Sequence, residues 1–143
     1  METVHVKAGE GPNFAWKSDN AYVKVSSAQS DGLMSLIEDN LTLDFHLPRH
    51  LHRAHAETFY VVSGQVEFQM DGGPVILSAG DTLHVPPNHP HEVRCLAPAK
   101  MLTLFQPGGL EHLFEAYAAM TEADMADPEK LRAVDLAHDN VSL

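Results

Sequence analysis

A single cysteine, Cys95, stands in 143 residues, so no internal disulfide can staple the chain and its stability must come from a buried core. Thiol usage this sparse fits a reducing compartment, and the cytoplasm is the expected location. No apolar run approaches the roughly 20 residues that a membrane-spanning helix needs. The opening residues, Met1-Glu2-Thr3-Val4-His5, have neither the basic head nor the apolar stretch of a secretory signal. Positive charge is also scarce: nine Lys and Arg face twenty Asp and Glu, a net charge of −11. Such a surface repels phosphates and anionic headgroups, so neither nucleic acid nor membrane is an expected partner.

What is present suffices for one ordinary domain. The hydrophobic fraction of 44% is that of a globular chain rather than a disordered one. Up to Gln106 short apolar runs are broken by Gly, Pro, Asn and Asp, the punctuation of an all-β fold. Strands are expected at residues 4–7, 21–26, 33–38, 41–46, 57–63, 65–70, 75–77, 82–85, 91–96 and 100–106. Ser63-Gly64 and Asp71-Gly72-Gly73 supply turn chemistry between successive strands. Val66, Phe68 and Met70 alternate with Glu67, Gln69 and Asp71, the period of a half-buried antiparallel strand. After Pro107-Gly108-Gly109 the period changes. Leu110, Leu113, Phe114 and Tyr117 predict an amphipathic helix over 110–120. Asp127-Pro128-Glu129 then reads as an N-cap, a proline at the first helical position and an early acid, opening a helix from 129 to about 138. From Glu111 onward eight acids meet only two bases, which reads as a solvated face on terminal helices.

The chemistry is concentrated in two segments. His50 and His52 lie two residues apart, so in extended chain both imidazoles point to one side. Glu57 opens the next strand, with Phe59 and Val61 on the same face. A second segment, residues 80–91, delivers His91 after a proline-stiffened turn. Three neutral imidazoles and one carboxylate suit one divalent first-row ion per chain: Fe, Mn, Ni, Co or Zn. In an octahedral shell that set leaves two positions open.

These segments resemble the paired signature of the cupin superfamily. His-x-His, a Glu and a following Gly are met by His50, His52, Glu57 and Gly64; the second motif is met by Gly80, Pro86 and His91. Asp44, Asn88 and Cys95 depart from the pattern, and none of them stands at a ligand position. Asn88 replaces a turn glycine and tolerates a left-handed backbone, while Cys95 puts a thiol in the wall beside the metal. The tail is similar to that of small bacterial quercetin-dioxygenase-like cupins. The resemblance implies a double-stranded β-helix (jelly-roll) barrel over about 20–108, a helical tail over about 109–140, a metal at one mouth and a homodimer. It implies a metal-dependent enzyme acting on a small organic molecule, with dioxygenase chemistry favoured and Glu57 as both ligand and proton acceptor. A cupin isomerase or lyase, or a non-catalytic module sensing a small molecule or metal, are the alternatives.

Among the remaining residues, Phe59 is a candidate pocket wall. Phe45, Phe68, Phe105 and Phe114 read as core. Arg49 should point away from the metal, His84 outward, and His89 to the surface. His55 reads as a turn residue, and Trp16 as part of a subunit contact.

Overall fold

The structure, a computed structural model, describes residues 2–143. Its strands are β1 (Asn13–Trp16), β2 (Asp19–Val25), β3 (Ser35–Leu41), β4 (His46–Leu51), β5 (Ala56–Met70), β6 (Gly73–Ser78), β7 (Thr82–Val85), β8 (His91–Gln106) and β9 (Val141–Ser142). Three helices, α1 (Glu111–Ala119), α2 (Glu122–Ala126) and α3 (Pro128–Ala137), lie between β8 and β9. All strand pairs are antiparallel and belong to one sheet.

Two long strands organise the barrel. β8 pairs with β5 along nearly its whole length and with β3 and β4 on its other side, so the sheet curls around the β5–β8 pair. Sequence punctuation predicts a turn at Ser63-Gly64 and a break near Pro98, but both strands run through. The ladder accommodates Gly64 as an irregularity, with register shifts on both sides of it. Gly64 sits at φ +82°, and a Cβ there would lie 2.2 Å from the Pro98 carbonyl oxygen. Only glycine lets the two backbones approach this closely. The bend thus replaces the turn.

Alternation fills the interior. Glu57, Phe59 and Val61 of β5 are buried, while Thr58, Tyr60 and Val62 face outward. Val66, Phe68, Leu77, Val85, Val93 and Met101 complete the main core, and Trp16, Leu113 and Tyr117 extend it toward the tail. Three differences from expectation stand out, two in the strands and one in the core. Residues 4–7 form no strand, and β1 begins at Asn13 instead. The strand expected at 41–46 divides at the turn between β3 and β4, which puts His50 within β4. Trp16, expected at a subunit contact, is buried against Phe45, Phe114 and Tyr117.

The tail also differs from a purely solvated face. Asp127 caps α3 by accepting from the Glu129 and Lys130 amides, with Pro128 at the first position. The unexpected α2 is closed by a reciprocal Thr121–Asp124 capping box. Asp135, however, is buried and accepts the Tyr117 hydroxyl, and Asn140 donates to both partners. Glu111 is another buried anchor. It accepts from the Ser27 amide at 2.6 Å, the Gly109 amide at 2.9 Å, and the Ser27 and Ser35 hydroxyls. Glu111 thus fastens α1 to the barrel, and Asp135 ties α3 to α1, so neither acid serves as solvated surface. No helix among the described residues is long and apolar enough to cross a membrane.

Candidate metal centre

Antiparallel pairing of β4 with β8 sets His50 directly opposite His91, and His52 follows just past the end of β4. Glu57 enters from the start of β5, between Phe105 of β8 and Val85 of β7. The turn that delivers His91 includes Asn88 at φ +65°, and the Asn88 amide donates to the His52 carbonyl at 2.7 Å. One turn therefore connects the two segments that carry the candidate ligands. All four side chains are buried, and one candidate ligand atom from each lies within 4.8 Å of all the others.

Each imidazole is tied at its outer nitrogen. His50 Nδ1 donates to the Pro48 carbonyl at 2.7 Å, His52 Nδ1 to the Asp139 carbonyl at 2.7 Å, and His91 Nδ1 to the His89 carbonyl at 2.9 Å. A carbonyl only accepts, so the proton of each neutral ring is fixed on Nδ1 and the Nε2 lone pair is left inside. Glu57 Oε2 lies 2.8 Å from His91 Nε2 and 3.2 Å from His52 Nε2. Yet Glu57 Oε2 and His91 Nε2 are both buried with no partner in hydrogen-bond geometry. Metal bonds of about 2.0–2.2 Å at right angles place neighbouring donor atoms about 3 Å apart. The spacing and the orphaned atoms fit donors that share an ion better than donors that bond one another.

Electrostatics maintain that set. Burial, and then the neighbouring imidazoles, lower the His50 pKa to about 4, so this ring is neutral at physiological pH. Burial alone would raise the Glu57 pKa, but His52 and His91 outweigh it and hold the carboxyl well below its usual range. Burial likewise opposes the charge on His52, and the Glu57 carboxylate overrides it and raises the ring's pKa.

Two cavities meet at this centre. The outer one, about 120 Å³, is bounded by His50, His52 and Glu57 on the barrel side and by Leu113, Tyr117 and Leu131 of the helices. The inner one, about 40 Å³, reaches between His91, Phe59 and Met101 to Asp19, Asp39 and Thr103. At this inner end Asp39 accepts the Thr103 hydroxyl at 2.6 Å and faces Asp19. Burial, and then the charge of Asp39, push Asp19 up to about 11. Burial also pushes Asp39 up, to about 6. Asp19 therefore keeps its proton at neutral pH. Asp19 Oδ1, Asp39 Oδ1 and Trp16 Nε1 are buried without partners.

Phe59 lies on the inner cavity with its ring 6.4 Å from that of His91. Arg49 pairs with exposed Asp71, away from the centre. His84 is exposed and bonds Thr58, and His89 is exposed as well. Cys95 lines neither cavity, contrary to the expectation of a thiol beside the metal. Its side chain packs in the core, Sγ donates to the Ala97 carbonyl, and burial pushes the thiol pKa up. His55 is held by Asp139 at 2.7 Å.

The Asp19–Asp39 pair and Asp139 escape the sequence reading. A signal existed for the pair: Asp39 shares strand parity with buried Ile37 and Leu41, and Asp19 with Ala21 and Val23. Nothing in the local pattern around Asp139 marks it.

Comparison with known proteins gives consistent results. Residues 44–105 match the model of the Cupin domain family. Over 130 residues the chain is 28% identical to quercetin 2,3-dioxygenase of Bacillus subtilis (strain 168), covering 89% of this chain and 39% of that protein. The chain thus spans well under half the length of the curated relative. An RmlC-like cupin from Shewanella frigidimarina superposes with a TM-score of 0.65 at 20% identity, covering 77% of this chain and 96% of that one. The nucleoside dehydratase Pac13 of Streptomyces superposes with a TM-score of 0.62 at 20% identity, covering 78% and 88%. At these identities the superpositions establish the fold.

Proposed function

The chain belongs to the cupin superfamily, and from that premise we propose that it is a metal-dependent enzyme acting on a small organic molecule, with dioxygenase-type chemistry. The observation that carries this is the convergence of three inward Nε2 atoms and a buried carboxylate beside a cavity. In this reading His50, His52, Glu57 and His91 hold one divalent ion, which supplies Lewis-acid or redox chemistry when bound. The name of the Bacillus relative supports oxygenation of an oxygen-rich aromatic substrate.

The chain's own residues have defined tasks. Leu113, Phe114, Leu131 and Phe105 give the outer cavity an apolar wall, which orients a ring and excludes water. Phe59 closes the inner side. Glu57, ionised at neutral pH, accepts the proton of an acidic substrate hydroxyl placed next to it. Removal of water strengthens that interaction, because the same charges act through a lower dielectric.

The test is oxygen uptake by metal-loaded protein supplied with quercetin, simple catechols and β-diketones. Turnover that falls at least about 100-fold in Glu57→Gln supports the proposal. Tight binding of such a compound without turnover favours a sensing module, and product formation without oxygen consumption favours an isomerase or lyase. We further propose a cytoplasmic, single-domain homodimer. Tyr60 and Val62, each 44% exposed on the outer face of β5, are suited to a subunit contact. A monomer mass by light scattering contradicts the dimer.

A further inference from the structure

The three candidate imidazole ligands are not oriented in the same way. His50 and His91 donate to carbonyls only two residues away, Pro48 and His89, so their ring settings are local properties of the strand and turn. His52 instead donates to a carbonyl 87 residues distant, that of Asp139. Its orientation exists only while the end of the chain is in place.

Asp139 does more than supply that carbonyl. Its carboxylate accepts the Arg53 amide at 2.8 Å, the Ala54 amide at 2.9 Å and His55 Nδ1 at 2.7 Å. One residue thus grips four consecutive positions, 52–55, that join β4 to the strand carrying Glu57. The grip continues beside it: β9 pairs Ser142 with His50 and Val141 with Leu51, and the Leu143 amide donates to the Arg49 carbonyl. Asp139 adopts φ +55°, a left-handed setting that an Asp rarely takes without surrounding contacts to hold it. Those contacts include Asn140, which bonds Tyr117 and Asp135 and fastens the turn to α1 and α3.

We propose that Asp139 is the positioning residue of the metal centre, and that through it the C-terminal segment and the metal reinforce each other. This rests on the reading of the four-residue cluster as a metal site. The closed segment points the His52 lone pair inward, which raises metal affinity. By reciprocity, metal binding tightens the closed segment by the same factor. The acidic tail is then a strap whose closure reports occupancy of the centre.

The experiment uses the full chain and Co²⁺ as probe, followed by calorimetry, by the visible absorption of the bound ion, and by amide hydrogen exchange over residues 138–143. Asp139→Gly keeps the left-handed backbone and the carbonyl but removes three carboxylate bonds. Asp139→Asn keeps one side-chain acceptor and tolerates the same backbone, so it remains informative if the glycine variant folds poorly. Expected are a 10- to 100-fold loss of Co²⁺ affinity in Asp139→Gly, a smaller loss in Asp139→Asn, and an altered absorption spectrum in both. Co²⁺ should slow exchange at 138–143 in the wild type and much less in the glycine variant. The inference is overturned if the wild type binds Co²⁺ and the variants bind it within twofold, even where their melting temperatures fall, for that would be a structural role alone. If the wild type takes up no Co²⁺ or other divalent ion, the metal reading fails and this inference fails with it.

Discussion

Two buried polar clusters share one barrel, one at its mouth and one deeper along the same cavity. At the mouth, His50, His52 and His91 are tied at Nδ1, and His91 Nε2 and Glu57 Oε2 are buried without a hydrogen-bond partner. Deeper in, Asp39 accepts the Thr103 hydroxyl, and burial beside Asp39 raises the Asp19 pKa so that this carboxyl keeps its proton. The first arrangement fits a bound cation. The second avoids burying two charges by keeping a proton. Both clusters lie on the same curled sheet, so the difference comes from donor chemistry and not from depth.

The largest expected effect separates the two directly. Replacing His91 by Ala should weaken divalent-metal binding by more than about 100-fold, since loss of supporting groups alone costs 10- to 100-fold. His89→Ala should leave binding unchanged, because only its backbone carbonyl serves the site. Equal losses in both, measured by calorimetry, would mean that His91 is not a ligand.

Next comes the pH response of the carboxyl pair. The folded pKa of Asp19 is raised, so the native state binds a proton that the unfolded chain has released above about pH 4. Its contribution is therefore full in acid and is lost as pH rises toward about 11. At one extra bound proton the slope is about 1.4 kcal/mol per pH unit. Asp19→Asn should flatten the fall in stability between pH 7 and 9, as read from denaturant midpoints. An unchanged slope would remove the proton assigned to Asp19.

A smaller effect tests whether the clusters are independent. Thr103→Val removes the hydroxyl that Asp39 accepts and should cost about 1–3 kcal/mol of stability. Metal affinity should stay within about threefold of wild type; a larger change would couple the two clusters.

The smallest effect is a proton count. Glu57 raises the His52 pKa, so the metal-free ring holds its proton to higher pH, and metal uptake near pH 6.5 should release part of one proton. Calorimetry in two buffers of different ionisation enthalpy measures it, and zero release would contradict the charge state assigned to His52.

The same comparison explains what was legible in the sequence. The mouth cluster is written as short-range spacing, with two histidines of equal parity, a glutamate five residues on and a second segment ending in His91. The strand period translates this directly into geometry. Asp19 and Asp39 lie on different strands, and they meet only because β2 and β3 pair in a register with Ala21 opposite Asp39. Nothing in the order of residues states that register. Gly64 was legible as a special backbone position but not as a bend inside a 15-residue strand, because a turn and a bulge ask for the same residue. The tail's helices followed from Pro128 and the Leu110–Tyr117 period. The inward roles of Asp135 and Asp139 required the packed barrel beneath them.

The central claim is that four side chains from two sequence segments share one ion. It is tested most directly by anomalous diffraction at the cobalt edge from crystals of Co²⁺-loaded protein. The account predicts one peak per chain, within bonding distance of Nε2 of His50, His52 and His91 and of the Glu57 carboxylate. A peak elsewhere, ligation through Nδ1, or protein that takes up no ion would contradict it.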